Sequence, residues 1–149
     1  MSMVEQIGAN LPGIEQLRLW IASGKRFGIA AALDFELVEV GDGFAAFEGV
    51  AGEHAYNPIG TVHGGYAATL LDSACGCAAH STLAAGDRYT TLELKVAYHK
   101  AITSQTGKVR AEAKLLSLGR RVAFAEGKLV DSSGRLLASA TSTLLLIPK

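Results

Sequence analysis

The sequence has no excess of charge of either sign, because 14 lysine and arginine residues balance 14 aspartate and glutamate residues among 149 in all. It has no basic block and no surface of arginines interleaved with aromatics, so we expect no nucleic-acid partner. No apolar run reaches the roughly 20 uninterrupted residues that a membrane-spanning helix needs. The first residues, MSMVEQIGANLPG, lack the basic start and the apolar core of a signal peptide. These absences predict a cytoplasmic protein without a membrane partner.

Cysteine is scarce, and the spacing of Cys75 and Cys77 is neither a C-x-x-C redox motif nor a zinc pattern. Two residues apart on a predicted helix, these side chains point to different faces, which argues against a mutual disulfide. We interpret both as small buried apolar residues of a protein from a reducing compartment. His54, His80 and His99 show no metal-ligand spacing. The sequence therefore predicts no metal site.

Two familiar motifs are also missing. No G-x-S-x-G precedes a helix, so the sequence does not predict a serine nucleophile on a sharp strand-to-helix turn. The stretch GTVHGG lacks the Gly-Lys-Ser/Thr ending of a phosphate-binding loop.

The apolar pattern of the first third predicts a helix and then a hairpin. Residues 12–24 have apolar positions at helical spacing. Residues 33–52 alternate between apolar and polar, with a Gly-Asp-Gly turn at 41–43. We divide the chain into an N-terminal helical segment, residues 1–26, and a single domain, residues 27–149.

The rest of the sequence predicts one long helix followed by strands. The helix runs from Gly64 to about Leu83, is apolar almost all round, and has Gly86 as its stop signal. Four strands separated by glycine-containing turns follow, so the pairing is antiparallel. The first of these strands has strictly alternating apolar residues, at Leu92, Leu94, Val96 and Tyr98. The fold class is therefore α+β, with five to six strands that cover the long helix.

Asp72 is the only charged residue between Gly60 and Gly86, and it lies inside the long apolar helix. A buried charge is costly unless it is paired or neutralised. The position of this carboxylate therefore needs an explanation.

The stretch NPIGTVHGGYAATLLD resembles the signature of the phenylacetate-pathway (PaaI-type) acyl-CoA thioesterases, which have the hot-dog fold. That signature consists of an Asn, a short gap, a Gly, two residues, His-Gly-Gly and then an acidic residue inside the central helix. The likeness extends over about residues 30–147 and includes LGRRVAFAEGKLVDSSGRLLASAT. The matching positions are Asn57, Gly60, His63, Gly64, Gly65 and Asp72.

The resemblance implies an antiparallel sheet of five to six strands wrapped around one long central helix. It implies a cytoplasmic acyl-CoA thioesterase, which hydrolyses its substrate to a free acid and coenzyme A without a metal or redox cofactor. The active sites of the family lie at dimer interfaces, often in dimers of dimers. The expected partner is therefore a second copy of the chain, in a homodimer or a homotetramer. The signature leaves both aromatic and medium-chain acyl groups open.

Gly64 and Asp72 are eight residues apart, which is about 12 Å along one helix. If both act on one thioester, they must come from different subunits. A helix N-terminus has free N–H groups, and the resemblance implies that the Gly64 N–H polarises the thioester carbonyl. Asp72 is then a nucleophile or a general base. Each residue also has a non-catalytic interpretation. Gly64 could only permit a tight turn from the loop into the helix, and Asp72 could be a structural carboxylate in a buried hydrogen-bond network.

The resemblance also implies roles for the residues around the helix start. Asn57 helps to position the water or the aspartate, or else it is an Asn-Pro turn residue. His63 assists at the carbonyl or caps the helix. Gly65, which lacks a Cβ, lets substrate approach the backbone. Thr91 matches a hydroxyl at the start of the next strand, with Thr90 as its competitor.

Arg120 and Arg121 fall in a stretch that lies near the coenzyme A nucleotide in the family. Arginine suits phosphate recognition because of its fork of donors. The alternative is that both side chains are solvated at the end of a hairpin.

Three other functions stay open from the sequence. A hot-dog hydroxyacyl thioester dehydratase would also use a histidine and an acid, although the spacing between His63 and Asp72 resembles the thioesterases better. A non-catalytic acyl-CoA-binding protein could use the same scaffold. A purely structural oligomer has no obvious use for the charge at Asp72.

Overall fold

The computed structural model describes residues 1–149 and shows short helices followed by an α+β arrangement. The predicted N-terminal helix, hairpin and four later strands are confirmed. The helices are α1 (Met3–Ile7), α2 (Gly13–Ser23), α3 (Ile29–Ala32) and α4 (Gly64–His80), with a 3-10 turn at Glu53–Ala55. The strands are β1 (Phe35–Gly41), β2 (Phe44–Val50), β3 (Arg88–Tyr98), β4 (Lys108–Leu118), β5 (Val122–Asp131) and β6 (Leu136–Ile147).

The six strands form one antiparallel sheet in the order β1-β2-β4-β5-β6-β3. Strand β3 follows α4 in the chain but joins the sheet at the edge beside β6. One side of β3 therefore pairs with β6 through ten of its 11 residues, and its other side has no strand partner. Strand β3, at this edge, contacts the long helix both near its start and near its middle.

The sheet wraps around α4, which contacts all six strands. Leu70 and Leu71 of α4 are fully buried, together with Leu129 and Leu144 of the sheet. Burying one such side chain contributes about 1.5–3 kcal/mol. Small residues let the layers approach closely, since a Cβ on Gly127 would lie 3.2 Å from the Leu71 side chain. The predicted architecture of a sheet around one apolar helix is confirmed.

The long helix ends at His80, three residues earlier than predicted. The Ser81 hydroxyl donates to the Ala78 carbonyl at 2.7 Å, and the Thr82 hydroxyl donates to the Ala79 carbonyl at 2.8 Å. Such hydroxyl bonds compete with the helical backbone bonds, so the helix stops well before Gly86. None of the helices combines the length and the apolar character needed to cross a membrane.

The N-terminal helix α2 packs against the C-terminal end of α4. Leu17 is fully buried, and Gln16 Oε1 accepts a 2.7 Å hydrogen bond from Nε2 of the buried His80 ring. Gly13 lies directly against the backbone of His80, where a Cβ would come within 2.9 Å of the carbonyl carbon. The division of the chain at residue 26 stays a prediction, but the N-terminal segment shares its core contacts with the sheet.

Candidate active site

Asn57 shapes the loop that leads into α4. Its Oδ1 accepts hydrogen bonds from the backbone N–H groups of Ile59 and Thr61, both at 3.1 Å. Its Nδ2 donates to Thr61 Oγ1 at 2.8 Å. Gly60 takes a left-handed conformation, with φ of 84°, which its missing side chain allows. Within one chain Asn57 therefore acts as a turn residue and makes no hydrogen bond to Asp72.

His63 caps the start of α4. Its Nδ1 accepts a hydrogen bond from the Gly65 N–H at 2.8 Å, and its carbonyl accepts one from the Tyr66 N–H at 3.0 Å. Because Nδ1 is an acceptor, neutral His63 carries its proton on Nε2, which can donate but cannot act as a base. The Gly64 N–H has no acceptor in the chain. The Gly64 N–H, at the first helical position, therefore stays available to a ligand.

Tyr98 packs over Gly64. Its hydroxyl donates to the Gly64 carbonyl at 2.6 Å, and a Cβ on Gly64 would lie 3.1 Å from the tyrosine ring. A glycine is therefore favoured here by contacts inside the chain, in addition to any approach of substrate. Beside Gly64 lies a cavity of about 310 Å³, whose lining also includes His63, Tyr98 and Lys100.

Asp72 lies on the face of α4 that the sheet leaves half-exposed. Thr91 Oγ1 donates a 3.0 Å hydrogen bond to Asp72 Oδ1, and Oδ2 has no hydrogen-bond partner. The neighbouring positions on this face are small, at Gly65, Ala68, Thr69 and Ser73. Asp72 is thus a carboxylate held by one hydroxyl, with one oxygen available to a ligand.

A bulge in β3 decides which threonine meets Asp72. The register with β6 shifts between Thr91 and Glu93, which leaves Leu92 unpaired and 58% exposed. Before the bulge, Thr91 lies opposite the fully buried Leu144 and faces α4, while Thr90 is exposed on the outer face. The strict alternation predicted for this strand is therefore wrong at Leu92. A bulge inserts one extra residue and reverses the facing of the residues before it.

Within one chain Asp72 and the Gly64 N–H do not converge, because two helical turns separate them. They lie on one helix and face the free edge of the sheet at β3. Thr91 links Asp72 to the first half of β3, and Tyr98 links Gly64 to its last residue. A thioester that contacts both groups requires a second chain.

Arg120 and Arg121 are exposed in the β4–β5 turn, and neither has a carboxylate within ion-pair distance. The Leu146 N–H donates to the Arg121 carbonyl at 2.8 Å, and Arg88 pairs with Ile147 across β6. These three arginines therefore stand at the end of the sheet where Thr91 lies. The end is basic and open to solvent.

The two cysteines are buried and free. Burial, with a smaller effect of the Asp72 charge, raises the pKa of the Cys75 and Cys77 thiols to about 12. A thiol with such a pKa stays protonated near neutral pH, so neither cysteine is a nucleophile. Asp72 is the only acidic group on this helix.

Residues 59–138 match the family model described as the Thioesterase superfamily. The matched segment is more than half of the 149 residues and includes α4, Asp72 and Thr91. The chain belongs to the thioesterase superfamily. It is a thioester hydrolase with a hot-dog fold, as the resemblance of its signature predicts.

Individual relatives agree with this assignment. A provisionally named esterase of Archaeoglobus fulgidus is 30% identical over 112 residues, which are 75% of this chain and 70% of that protein. The 1,4-dihydroxy-2-naphthoyl-CoA hydrolase of Listeria monocytogenes is 27% identical over 122 residues, which are 82% of this chain and 98% of that protein. A phenylacetic acid degradation-related protein from Ralstonia eutropha, provisionally named a thioesterase, superposes with a TM-score of 0.76. It is 26% identical and covers 87% of this chain and 98% of its own.

Sequence reasoning missed the contact of Tyr98 with the helix start. The pattern marks Tyr98 only as one of several alternating apolar residues, and its partner Gly64 is 34 positions away. No local signal could have connected the two. The roles of Asn57, His63, Gly64, Gly65, Asp72, Thr91, Arg120 and Arg121 toward a substrate stay predictions.

Proposed function

We propose that the protein hydrolyses an aromatic or medium-chain acyl-CoA to the free acid and coenzyme A, at a site shared by two subunits. The Gly64 N–H polarises the thioester carbonyl, and Asp72 of the partner subunit acts as nucleophile or general base. One observation carries this proposal: the half-exposed face of one helix presents a free N-terminal N–H and an isolated carboxylate held by a hydroxyl.

The chemistry follows from the two groups. Attack on a thioester carbonyl puts negative charge on its oxygen, and a free N–H at a helix N-terminus stabilises that charge. His63 adds a donor at Nε2 in the same first turn. The Thr91 hydroxyl fixes one oxygen of Asp72, so the other is available to the carbonyl carbon or to a water. No metal or redox step is needed, and the absence of a cofactor stays a prediction.

The edge strand β3 supports a shared site. Thr91 and Tyr98 lie near opposite ends of β3 and contact Asp72 and Gly64, respectively. If two copies of β3 pair antiparallel about a two-fold axis near the middle of the strand, Thr91 lies beside Tyr98 of the partner subunit. The same symmetry brings Asp72 close to Gly64 of the partner subunit. A homodimer is the minimal unit of the proposal, and association into a tetramer stays a prediction.

Two observations support coenzyme A as the thiol part of the substrate. The Listeria monocytogenes relative is named for a naphthoyl-CoA substrate, and it is matched over nearly its whole length. Arg120 and Arg121 have no acidic partners and lie at the same end of the sheet as Thr91, where they can receive the phosphates of coenzyme A. The name of the Ralstonia eutropha structure also favours an aromatic acyl group.

The first test compares thiol release from a panel of acyl-CoAs by the wild type, Asp72→Asn, Gly64→Pro and Gly64→Ala. Proline suits the first helical position but has no N–H, whereas alanine keeps the N–H and adds the same Cβ beside Tyr98. Losing one oxyanion donor is expected to cost about 10²–10³ in kcat. We expect large losses for Asp72→Asn and Gly64→Pro and a small loss for Gly64→Ala. Equal activity of Asp72→Asn and the wild type would contradict the mechanism.

The second test asks whether the site is shared. Asp72→Asn and Gly64→Pro chains are refolded together, so that about half of the dimers are mixed. Each mixed dimer then has one intact pair, made of Gly64 from one chain and Asp72 from the other. A shared site predicts recovery of about a quarter of the wild-type activity. A site within one chain predicts no recovery.

The same panel separates the other functions. Hydration of an enoyl-CoA without thiol release would identify a dehydratase. Tight binding of acyl-CoA without turnover, unchanged in Asp72→Asn, would identify a binding protein.

A further inference from the structure

We propose that Tyr98 is a positioning residue for the hydrolysis. Through the peptide group between Gly64 and Gly65, its hydroxyl holds the first turn of α4 and the His63 ring in the geometry that presents two donors to the thioester carbonyl. These donors are the Gly64 N–H and the His63 Nε2–H. The role rests on the proposed hydrolysis of acyl-CoA and adds a residue that lies outside the signature from Asn57 to Asp72.

The peptide group between Gly64 and Gly65 is held at both of its ends. Its carbonyl oxygen accepts a hydrogen bond from the Tyr98 hydroxyl at 2.6 Å, and its N–H donates to His63 Nδ1 at 2.8 Å. Hydrogen bonds at the two ends of one amide polarise each other, so each bond strengthens the other. The Tyr98 hydroxyl therefore supports the bond that leaves the proton of neutral His63 on Nε2.

Rings on both sides restrict this peptide group. A Cβ on Gly64 would lie 3.1 Å from the Tyr98 ring. A Cβ on Gly65 would lie 2.8 Å from Nδ1 of the His63 ring. Two successive glycines otherwise have wide conformational freedom, and glycine is less favourable than alanine inside a helix. The start of α4 therefore gains order from contacts outside the helix, and Tyr98 provides such a contact from the sheet.

The backbone of Tyr98 is itself fixed to the sheet. Tyr98 is the last residue of β3 and pairs with Ala138 of β6. The next two backbone N–H groups, those of His99 and Lys100, both donate to the Leu137 carbonyl, at 2.8 and 3.1 Å. The tyrosine ring therefore extends from an anchored point of the sheet to the start of the helix.

Strand β3 makes two side-chain hydrogen bonds to α4, and each one reaches a group of the proposed site. Thr91 donates to the Asp72 carboxylate. Tyr98 donates to the carbonyl of Gly64, the residue whose N–H is the proposed oxyanion donor. One strand thus positions both groups, so the loss of either hydroxyl should lower kcat and leave substrate binding largely unchanged.

Tyr98 has little share in the buried core. It is 56% exposed, and substitutions at exposed positions usually change the free energy of unfolding little. The substitution Tyr98→Phe keeps the ring over Gly64 and removes only the hydroxyl. A loss of activity in this variant without a loss of stability would therefore come from the hydrogen bond at the helix start.

The experiment compares the wild type, Tyr98→Phe and Tyr56→Phe. Tyr56 lies in the loop before α4, and its hydroxyl takes no part in the hydrogen bonds at the start of that helix, so Tyr56→Phe is the matched control. Thiol release gives kcat and KM for each acyl-CoA that the wild type hydrolyses. Hydrogen exchange, followed by NMR, is measured at the Gly65 N–H and at the Leu71 N–H in the middle of α4.

The net contribution of one neutral hydrogen bond corresponds to about twofold to tenfold in an equilibrium or a rate. We expect Tyr98→Phe to lower kcat by about that factor with little change in KM, and to speed exchange of the Gly65 N–H by a similar factor. Exchange at Leu71 and the midpoint of denaturant unfolding should not change. Tyr56→Phe should match the wild type in every measurement.

Four results would overturn the role of Tyr98 while leaving thioester hydrolysis intact. These are full kcat in Tyr98→Phe, a change in KM alone, a lower kcat with unchanged exchange at Gly65, and faster exchange at Gly65 and Leu71 alike. The third would make the hydroxyl a direct contact of the substrate, and the fourth would make its effect one on the whole fold. Absence of thiol release from every acyl-CoA by the wild type would instead refute the proposed function and, with it, this positioning role.

Discussion

Replacing Thr91 by valine tests whether the bulge in β3 positions the carboxylate. Valine has nearly the same shape as threonine, so the change removes the 3.0 Å hydrogen bond to Asp72 and little else. Thr91 faces α4 opposite the buried Leu144, where a methyl group is well tolerated. The neighbouring Thr90 is exposed on the outer face, and Thr90→Val is therefore the matched control.

The magnitude follows from the type of bond. A hydrogen bond to a charged group contributes about 1.5–3 kcal/mol. If the bond holds Asp72 in its reactive position, its loss lowers kcat by about 10- to 150-fold, since about 1.4 kcal/mol corresponds to tenfold in rate. The effect belongs in kcat more than in KM, because Thr91 acts through Asp72 and not through substrate binding.

The assay is thiol release under steady-state conditions, with unfolding measured in parallel. Thr91→Ser keeps the hydroxyl and should keep most of the activity, whereas Thr91→Val should lose it without a large change in stability. A larger loss for Thr90→Val than for Thr91→Val, or full activity in Thr91→Val, would refute the assignment of Thr91 as the residue that positions Asp72.

Three further predictions concern stability and binding. Gly76→Ala should lower the free energy of unfolding by about 1–3 kcal/mol in a denaturant titration, because its Cβ would lie 2.9 Å from the Tyr89 ring. This overpacking exceeds the gain of about 1 kcal/mol in helix propensity. A variant more stable than the wild type would contradict the reasoning. Burial lowers the pKa of His80, so the unfolded chain binds the proton more readily than the folded one. The free energy of unfolding should therefore be highest at a pH above the ordinary histidine pKa of roughly 6.5, and it should fall as the pH drops below that value. Unfolding between about pH 7.5 and pH 5.5 checks this, and His80→Gln should flatten the dependence, since glutamine keeps a donor but does not titrate. Arg120→Ala combined with Arg121→Ala should raise KM for an acyl-CoA by about tenfold or more. KM for the N-acetylcysteamine thioester of the same acyl group should not change, because that thioester has no phosphates. An equal rise in KM for both substrates would exclude a phosphate contact.

Much of the fold could be predicted because its signals are local. The helical spacing within residues 12–24, the Gly-Asp-Gly turn at 41–43 and the apolar surface of the long helix depend on neighbours a few positions away. The same holds for the signature from Asn57 to Asp72, which identifies the family from consecutive residues. The end of the helix was predicted too late because the Ser81 and Thr82 hydroxyls compete with the glycine signal at Gly86.

The sequence by itself determined the fold class, the thioesterase family and the presence of one carboxylate in an apolar helix, since each follows from composition, periodicity or an uninterrupted motif. Only the tertiary structure decided that Thr91, and not Thr90, meets Asp72. If the strand alternated without a break, Thr90 would face the helix on the same side as Leu92. The bulge at Leu92 instead turns Thr91 toward the helix and Thr90 away from it. The contact of Tyr98 with Gly64 was likewise decided only in the fold. Both depend on how β3 lies against β6 and α4, which are distant in sequence, and pairing energies between distant segments leave no signal in either segment alone.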